Sequence, residues 1–382
     1  MPSFLYKKKD DASFDEMLSA VPESTRINKK YAVTLFEKFV DESYQGRTTK
    51  VIIEELLLIK KTDPQNYEDS LYGMLQGWIN WNQKNWRCNS TIRVAFSNTR
   101  EYLFYYGVKT HEQDIKGHLR FGKKTHEEKH PLSQREYQRI IDALARHPLV
   151  QGLFLALGSS GMRIGEALSL KKKDLDLTGP RIKVNIPATT KTRTGRTTYL
   201  SLETGKVLRP RLENIGLDDS VFTLKNSNDV SSSIRTMLSR TVDRLQLVDK
   251  YQSNNIRKIT THSFRAYFFT KAARKHGENY AHKLVGHGGY LMQYDRMTEE
   301  EKLEMYIELE PDLAVFEQTK NELEINRLRE KVDEIDSLRD EVRKLRESQA
   351  NSGKKLIETM KINGIIKSCT SINFFKSTIS YD

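Results

Sequence analysis

The sequence predicts a mainly α protein with one small β-hairpin, an α+β fold of two domains followed by a charged C-terminal helix. Three patterns carry this expectation. Apolar residues recur at spacings of three and four across residues 26–108, and again after residue 132. One pair of segments, 181–186 and 196–200, alternates with period two. Residues 317–350 are charged except along one narrow apolar seam.

Residues 1–25 are polar and charged with no sustained period, and are expected to form a flexible arm. Within 26–108 the first rhythm is Tyr31, Leu35, Phe39 and Val40, the second Val51, Ile52, Leu56 and Ile59. Asp63-Pro64 opens a third, marked by Tyr67, Leu71, Leu75, Trp78, Ile79 and Trp81. A fourth holds Ile92, Phe96, Tyr102, Leu103 and Tyr106, and Gly107 suits its stop. This predicts a compact bundle of four or five helices. Residues 109–131 break the pattern, with Lys116, Arg120, Lys123, Lys124 and Lys129 among scattered carboxylates, and are expected to be an exposed basic linker. His118, His126 and His130 lie there, but no second ligand group accompanies them, so no metal site is expected.

A second domain is expected over 132–316. It opens on a capping box, Ser133 with Glu136 three residues on, and Leu132 and Tyr137 in the staple positions. Residues 149–158 are apolar enough for a buried helix, interrupted at Gly158 to Gly161 and resumed over 163–170. The hairpin of 181–186 and 196–200 has a basic tip at Lys191, Arg193 and Gly195. Helices are expected near 202–214, 230–246, 262–276, 278–286 and 299–309. The seam of 317–350 is Leu328, Val332, Ile335, Leu338, Val342 and Leu345, heptad-like with one short step, among 10 acidic and 8 basic residues over 317–347. The tail, 351–382, shows no clear period.

Composition closes several doors. Lys+Arg number 63 and Asp+Glu 51, a formal net charge of +12, which points to an anionic partner such as nucleic acid. No run of about 18 apolar residues is present, so no membrane span is expected. The basic start lacks an apolar signal region. Cys88 and Cys369 stand far apart, giving neither a disulfide framework nor a cysteine zinc site. A reducing cytoplasmic setting is expected.

Three segments of the second domain carry chemistry. In Arg163-Ile164-Gly165-Glu166 an arginine opens a helix with a glutamate three residues on, on the same face. In His262-Ser263-Phe264-Arg265 an imidazole and a guanidinium share a helix face. His287 follows Gly286 at a helix end. Each is weak alone; the ordered series, with the basic hairpin between the first and second, is far more specific.

The series Arg163, Lys191, His262, Arg265 and His287 followed by a tyrosine resembles the active site of the tyrosine recombinase, or phage integrase, family. The resemblance covers residues 132–310. It implies a SAM-like core-binding domain over 26–108 and the catalytic domain over 132–316. The run Tyr290 to Leu313, and the helix after it, resemble archaeal members.

The resemblance implies attack on a DNA phosphodiester by a tyrosine hydroxyl, giving a 3′-phosphotyrosyl link. Arg163 and Arg265 would hold the non-bridging oxygens, because two fixed guanidiniums match the charge that builds there. Lys191 would protonate the leaving 5′-oxygen. His262 and His287 would bond the phosphate and assist proton movement, and Glu166 would hold Arg163 in place. Tyr294, seven residues past His287, is the expected nucleophile, with Tyr306 as the alternative. Lys116, Arg120, Lys123, Lys124, Arg193 and Arg196 are expected DNA contacts. No metal or nucleotide cofactor is implied, since the phosphotyrosine bond keeps the energy of the broken linkage. The expected partners are duplex attachment-site DNA and further copies of the chain, four at synapsis. A type IB topoisomerase-like enzyme and a DNA binder with impaired catalysis are the alternatives.

Overall fold

The computed structural model describes residues 9–85, 87–123, 127–188, 195–223, 229–287 and 296–362. The chain divides into two compact units, residues 1–129 with 250–257, and 130–249 with 258–382.

The first unit is helical. Its elements are α1 (Asp11–Ser19), α2 (Glu23–Ser43), α3 (Thr49–Thr62), α4 (Pro64–Lys84), α5 (Asn89–Tyr105) and α6 (Glu112–His118). The core sits where Leu35, Phe36 and Phe39 of α2 meet Leu75 and Trp78 of α4 and Phe96 and Leu103 of α5. Asp63 caps α4, whose first residue is Pro64. Tyr31 is exposed, and the inner seam of α2 begins instead at Ala32.

Two sequence expectations fail in this unit. Residues 11–25 are not a flexible arm. Asp10 and Ser13 form a reciprocal cap, Ser13 N–H to Asp10 Oδ1 at 2.9 Å and Asp10 N–H to Ser13 Oγ at 3.0 Å. Phe14 and Leu18, one turn apart, are then buried in the core, with the Phe14 ring 5.1 Å from that of Tyr102. Nor is 109–131 a bare linker. Leu119 is buried, Ile115 and Phe121 pack against the core, and His118 stacks on Tyr72. The Arg120 N–H donates to Gln76 Oε1 at 2.7 Å. A few apolar side chains among many charges are enough to fasten the segment.

The second unit comprises α7 (Gln134–Ala143), α8 (Pro148–Ser160), α9 (Ile164–Ser169), β1 (Leu175–Asp176), β2 (Ile182–Ile186), β3 (Arg196–Leu200), α10 (Leu202–Asn214), α11 (Val230–Arg244), α12 (Thr261–His276), α13 (Glu278–Val285), α14 (Glu299–Leu313) and α15 (Glu317–Ile362). The capping box is present, Ser133 N–H to Glu136 Oε2 at 2.8 Å and Glu136 N–H to Ser133 Oγ at 3.2 Å. Helix α8 is buried all round, which its unbroken apolar run requires. Gly158 does not interrupt it. The Tyr137 ring fills the space a Cβ there would need, and the Tyr137 hydroxyl donates to the Phe154 carbonyl at 2.9 Å.

Strands β1, β2 and β3 form an antiparallel sheet in that order. Ile182 pairs with Leu200 and Ile186 with Arg196. Two buried carboxylates tie α10 and β2 to the end of the unit. Glu203 accepts from the N–H groups of Val315 and Phe316 at 3.0 and 2.9 Å. Glu310 accepts from the Leu202 N–H and from Arg181 Nε, each at 2.6 Å. Helix α15 runs on to Ile362, past the expected end at 350, because residues 351–362 contain no proline to stop it. No described helix is long and apolar enough to cross a membrane.

Candidate active site

The site is built around the turn from α8 to α9. Gly161 caps α8 in the left-handed region, φ +66°, where a Cβ would strike Phe268 and Val285. Met162 is buried and anchors the turn. Arg163 is thereby set at the N-terminus of α9. Its N–H donates to Glu166 Oε2 at 2.8 Å and its Nη1 to Glu166 Oε1 at 2.9 Å. The Arg163 side chain remains 32% exposed.

Glu166 serves a second guanidinium. Arg196 Nη2 donates to Glu166 Oε2 at 2.6 Å and Nη1 to Oε1 at 3.2 Å. Arg196 Nε donates to the Leu284 carbonyl at 2.9 Å. Burial alone would raise the Glu166 pKa. The bonds from Arg196 and Arg163 outweigh it and hold the carboxyl below its usual range. Arg196 is therefore not the DNA contact expected from sequence. Its side chain is 6% exposed and fully engaged as a strut between β3, α9 and α13.

His262 and Arg265 stand one turn apart on α12. Arg265 is buried. Its Nη1 donates to the Gly161 carbonyl and its Nη2 to the Val285 carbonyl, the latter at 2.8 Å. It so joins α12 to the α8–α9 turn and to the end of α13. Burial first, then the Arg163 charge, pushes its pKa down to about 10, which still leaves it charged at neutral pH. His262 is held neutral more strongly than a free imidazole, by burial and then by the charges of Arg265 and Arg163.

Gly286 closes α13 at φ +71°, and His287 follows. The His287 N–H donates to the His282 carbonyl at 3.0 Å. Its Nδ1 lies 3.2 Å from His282 Nδ1, so one imidazole donates and the other accepts. The Phe269 ring lies 4.9 Å from His282 and 6.0 Å from His287. Burial, then the charges of Arg265, His282, Arg163 and Arg196, depress the His287 pKa. His282 was missed in the sequence; its only signal is a second histidine five residues before the first.

Arg163, Arg265, His262 and His287 thus come together around Glu166. Tyr306 does not join them. It is fully buried, and its hydroxyl donates to the Ser159 carbonyl at 2.8 Å, so the alternative nucleophile is a core residue. Its ring packs on Tyr199 at 5.2 Å, on the apolar face of α14. Lys191 and Arg193, in 189–194, Tyr290 and Tyr294, in 288–295, and Lys124 lie outside the described residues. Lys116, Arg120 and Lys123 are exposed on the first unit. There Lys116 pairs with Glu112 at 2.7 Å, and Arg120 Nη1 folds back on the Lys116 carbonyl at 3.0 Å.

Next to the site, α14 is locked to the hairpin. Lys302 Nζ donates to Thr197 Oγ1 at 2.8 Å and pairs with Glu299, which also pairs with Lys183 at 3.0 Å. The Tyr199 hydroxyl donates to the Glu299 carbonyl at 3.0 Å. Strands β2 and β3, which flank Lys191 in sequence, are therefore both fixed to α14. Among the described residues, no group of three or more His, Cys, Asp or Glu side chains is arranged to hold a metal ion.

Comparison with known proteins agrees with this geometry. The family model described as the phage integrase family matches residues 90–293, more than half of the chain. A crystal structure of a lambda integrase dimer bound to a COC′ core site is 15% identical, covers 75% of this chain and 79% of its own, and superposes with a TM-score of 0.52. A shorter lambda integrase dimer on the same core site is 14% identical, with 75% and 97% coverage and a TM-score of 0.51. At such identities the likeness is one of fold. No curated protein sequence matches the chain. With the family match spanning every site residue from Arg163 to His287, the chain belongs to the phage integrase family and is a tyrosine recombinase.

Proposed function

We propose that this chain cleaves and rejoins duplex DNA at specific sites, with Tyr294 as nucleophile, to integrate or excise a mobile element. The observation that carries it is the convergence of two guanidiniums and two imidazoles, Arg163, Arg265, His262 and His287, braced from behind by Glu166 and Arg196. Arg163 spends one Nη on Glu166 and keeps further N–H groups for a phosphate. Arg265 supplies a second fixed charge. The pair would stabilise the negative charge that builds on the non-bridging oxygens.

In the first step the Tyr294 oxygen bonds to phosphorus as the bond to the 5′-oxygen breaks. The phenolic proton passes to neutral His262, and Lys191 gives a proton to the leaving oxygen. Attack by a 5′-hydroxyl reverses these transfers and reseals the strand. Chain connectivity supports both roles. Lys191 lies five residues before Arg196 and Tyr294 seven after His287, within about 25 Å of chain. The lambda integrase structures hold DNA at a core site, and the same partner is proposed here. Exposed Lys116, Arg120 and Lys123, with Lys124 and Arg193, would contact the backbone. Exchange of four strands calls for four protomers at synapsis, in the cytoplasm. The archaeal leaning rests on the run from Tyr290 to Leu313.

Covalent trapping tests the reading. The protein is incubated in EDTA with labelled, nicked duplexes tiled from the DNA flanking its gene, then run on a denaturing gel. A protein–DNA adduct present in wild type and lost in Tyr294→Phe is expected. An adduct that survives Tyr294→Phe moves the nucleophile elsewhere. Salt-sensitive binding without any adduct across the tiled duplexes favours the catalytically impaired binder.

A further inference from the structure

Helix α15 is 46 residues long, and from Leu328 to Thr359 every residue on it is exposed. A lone helix surrounded by water draws little stability from its own propensity. This one also carries an apolar stripe. In its first half the stripe is Ile325, Leu328 and Val332, which are 48%, 54% and 55% exposed. In its second half it is Ile335, Leu338, Val342 and Leu345, at 49%, 53%, 46% and 60%. Exposed apolar surface of this length calls for a partner.

The choice of residues names that partner. In heptad terms Ile325 and Val332 occupy a positions with Leu328 at d. After one short step at Ile335, the a positions are Ile335 and Val342, with Leu338 and Leu345 at d. β-branched residues at a with leucine at d favour a parallel two-stranded coiled coil. The 3,3 spacing across Val332, Ile335 and Leu338 is a stammer, which overwinds the coil locally without ending it.

The flanking charges agree. In a parallel, in-register pair, each g residue faces the e residue five positions on in the other chain. In the first half that pair is Glu324 with Arg329. In the second the pairs are Glu334 with Arg339 and Glu341 with Arg346. All three are opposite in sign. An antiparallel pairing of the second half would set glutamate against glutamate and arginine against arginine. In the single helix Arg339 rests on Asp336 at 3.3 Å, an exposed contact that is easily exchanged.

We propose that α15 pairs with α15 of a second copy as a parallel, in-register coiled coil over residues 325–345, joining two protomers before any DNA is bound. The inference stands on the helix alone and does not depend on the catalytic reading. Full-length protein without DNA, followed by sedimentation equilibrium across a dilution series, should show the mass of two chains. Glu334→Lys with Glu341→Lys sets lysines against arginines and should give the mass of one chain. Arg339→Glu with Arg346→Glu should do the same. An equimolar mixture of the two double variants should recover the two-chain mass, which also shows that neither variant is misfolded. In a Cys88→Ser, Cys369→Ser background, Val342→Cys should oxidise to a disulfide-linked dimer, since facing a positions lie within disulfide reach. A single-chain mass for wild type at every concentration overturns the proposal. So does a two-chain mass for both double variants, or absence of the Val342→Cys cross-link.

Discussion

Arg196 presses its guanidinium against the Glu166 carboxylate, Nη2 to Oε2 at 2.6 Å, and the two side chains are only 6% and 4% exposed. The same carboxylate holds Arg163, so the arginine that faces solvent is positioned by one that does not. A buried pair broken from one side leaves an uncompensated charge.

Arg196→Met should therefore lower unfolding free energy by about 3 kcal/mol in urea denaturation. Adduct formation should fall with it, because Glu166 loses the brace that fixes Arg163. The salt dependence of DNA binding should stay as in wild type. Loss of a true phosphate contact would instead reduce the slope of log K against log salt by about 1, with little change in stability. That second pattern would return Arg196 to the DNA-binding role its charge suggests in sequence.

Gly286 joins the strut to His287. At φ +71° it is strained for any L side chain, and a Cβ there would stand 2.7 Å from Arg196 Nη1 and 2.8 Å from its Cδ. Gly286→Ala should cost at least about 1–2 kcal/mol from backbone strain, plus whatever the displaced Arg196 adds. Gly165→Ala is the contrast. Nothing lies within 4 Å of a Cβ at 165, which sits in α9, so that change should be neutral or stabilise by up to about 1 kcal/mol. Thermal melts of the two variants check the pair. Equal melting temperatures would mean that the Gly286 turn relaxes freely.

Much of this architecture was legible because it is written in local spacing. Ser133 with Glu136 announces α7, the apolar run announces α8, and His262 with Arg265 share a face whatever they pack against. What the sequence concealed depends on tertiary neighbours. Arg196 looks like a surface charge on a hairpin, and only the fold brings Glu166 to it across thirty residues of chain. Tyr306 is chemically as good a nucleophile as Tyr294 until its burial on α14 is known. Phe14 and Leu18 are two apolar residues in a charged stretch, too few to betray α1 without the cleft they fill.

Tyr306→Phe separates the core role from the catalytic one. The change removes the hydroxyl that donates to the Ser159 carbonyl and leaves a buried acceptor unpaired. The expected cost is about 1–2 kcal/mol of stability, read by denaturant titration, with the trapped adduct retained at temperatures where the fold is intact. Loss of the adduct in a protein that remains folded would give Tyr306 a part in the chemistry.

The two site histidines set the pH behaviour. Burial and the Arg265 charge, with Arg163 adding to both, depress the pKa of His262 and His287 below the ordinary imidazole value. The folded protein therefore binds fewer protons than the unfolded chain between those depressed values and about 6.5. Stability from these groups is fully present above about 6.5 and is lost as pH falls through the folded values. Arg163→Gln removes one of the cationic neighbours, so the NMR titration midpoints of both imidazoles should move up. They should still stop short of the free value, because burial and Arg265 remain. The acid edge of the stability profile should then shift to higher pH if the unfolded state alone changes, and flatten if the folded values rise; the second is the expected outcome. Midpoints that do not respond to Arg163→Gln would mean that its charge is screened from both rings.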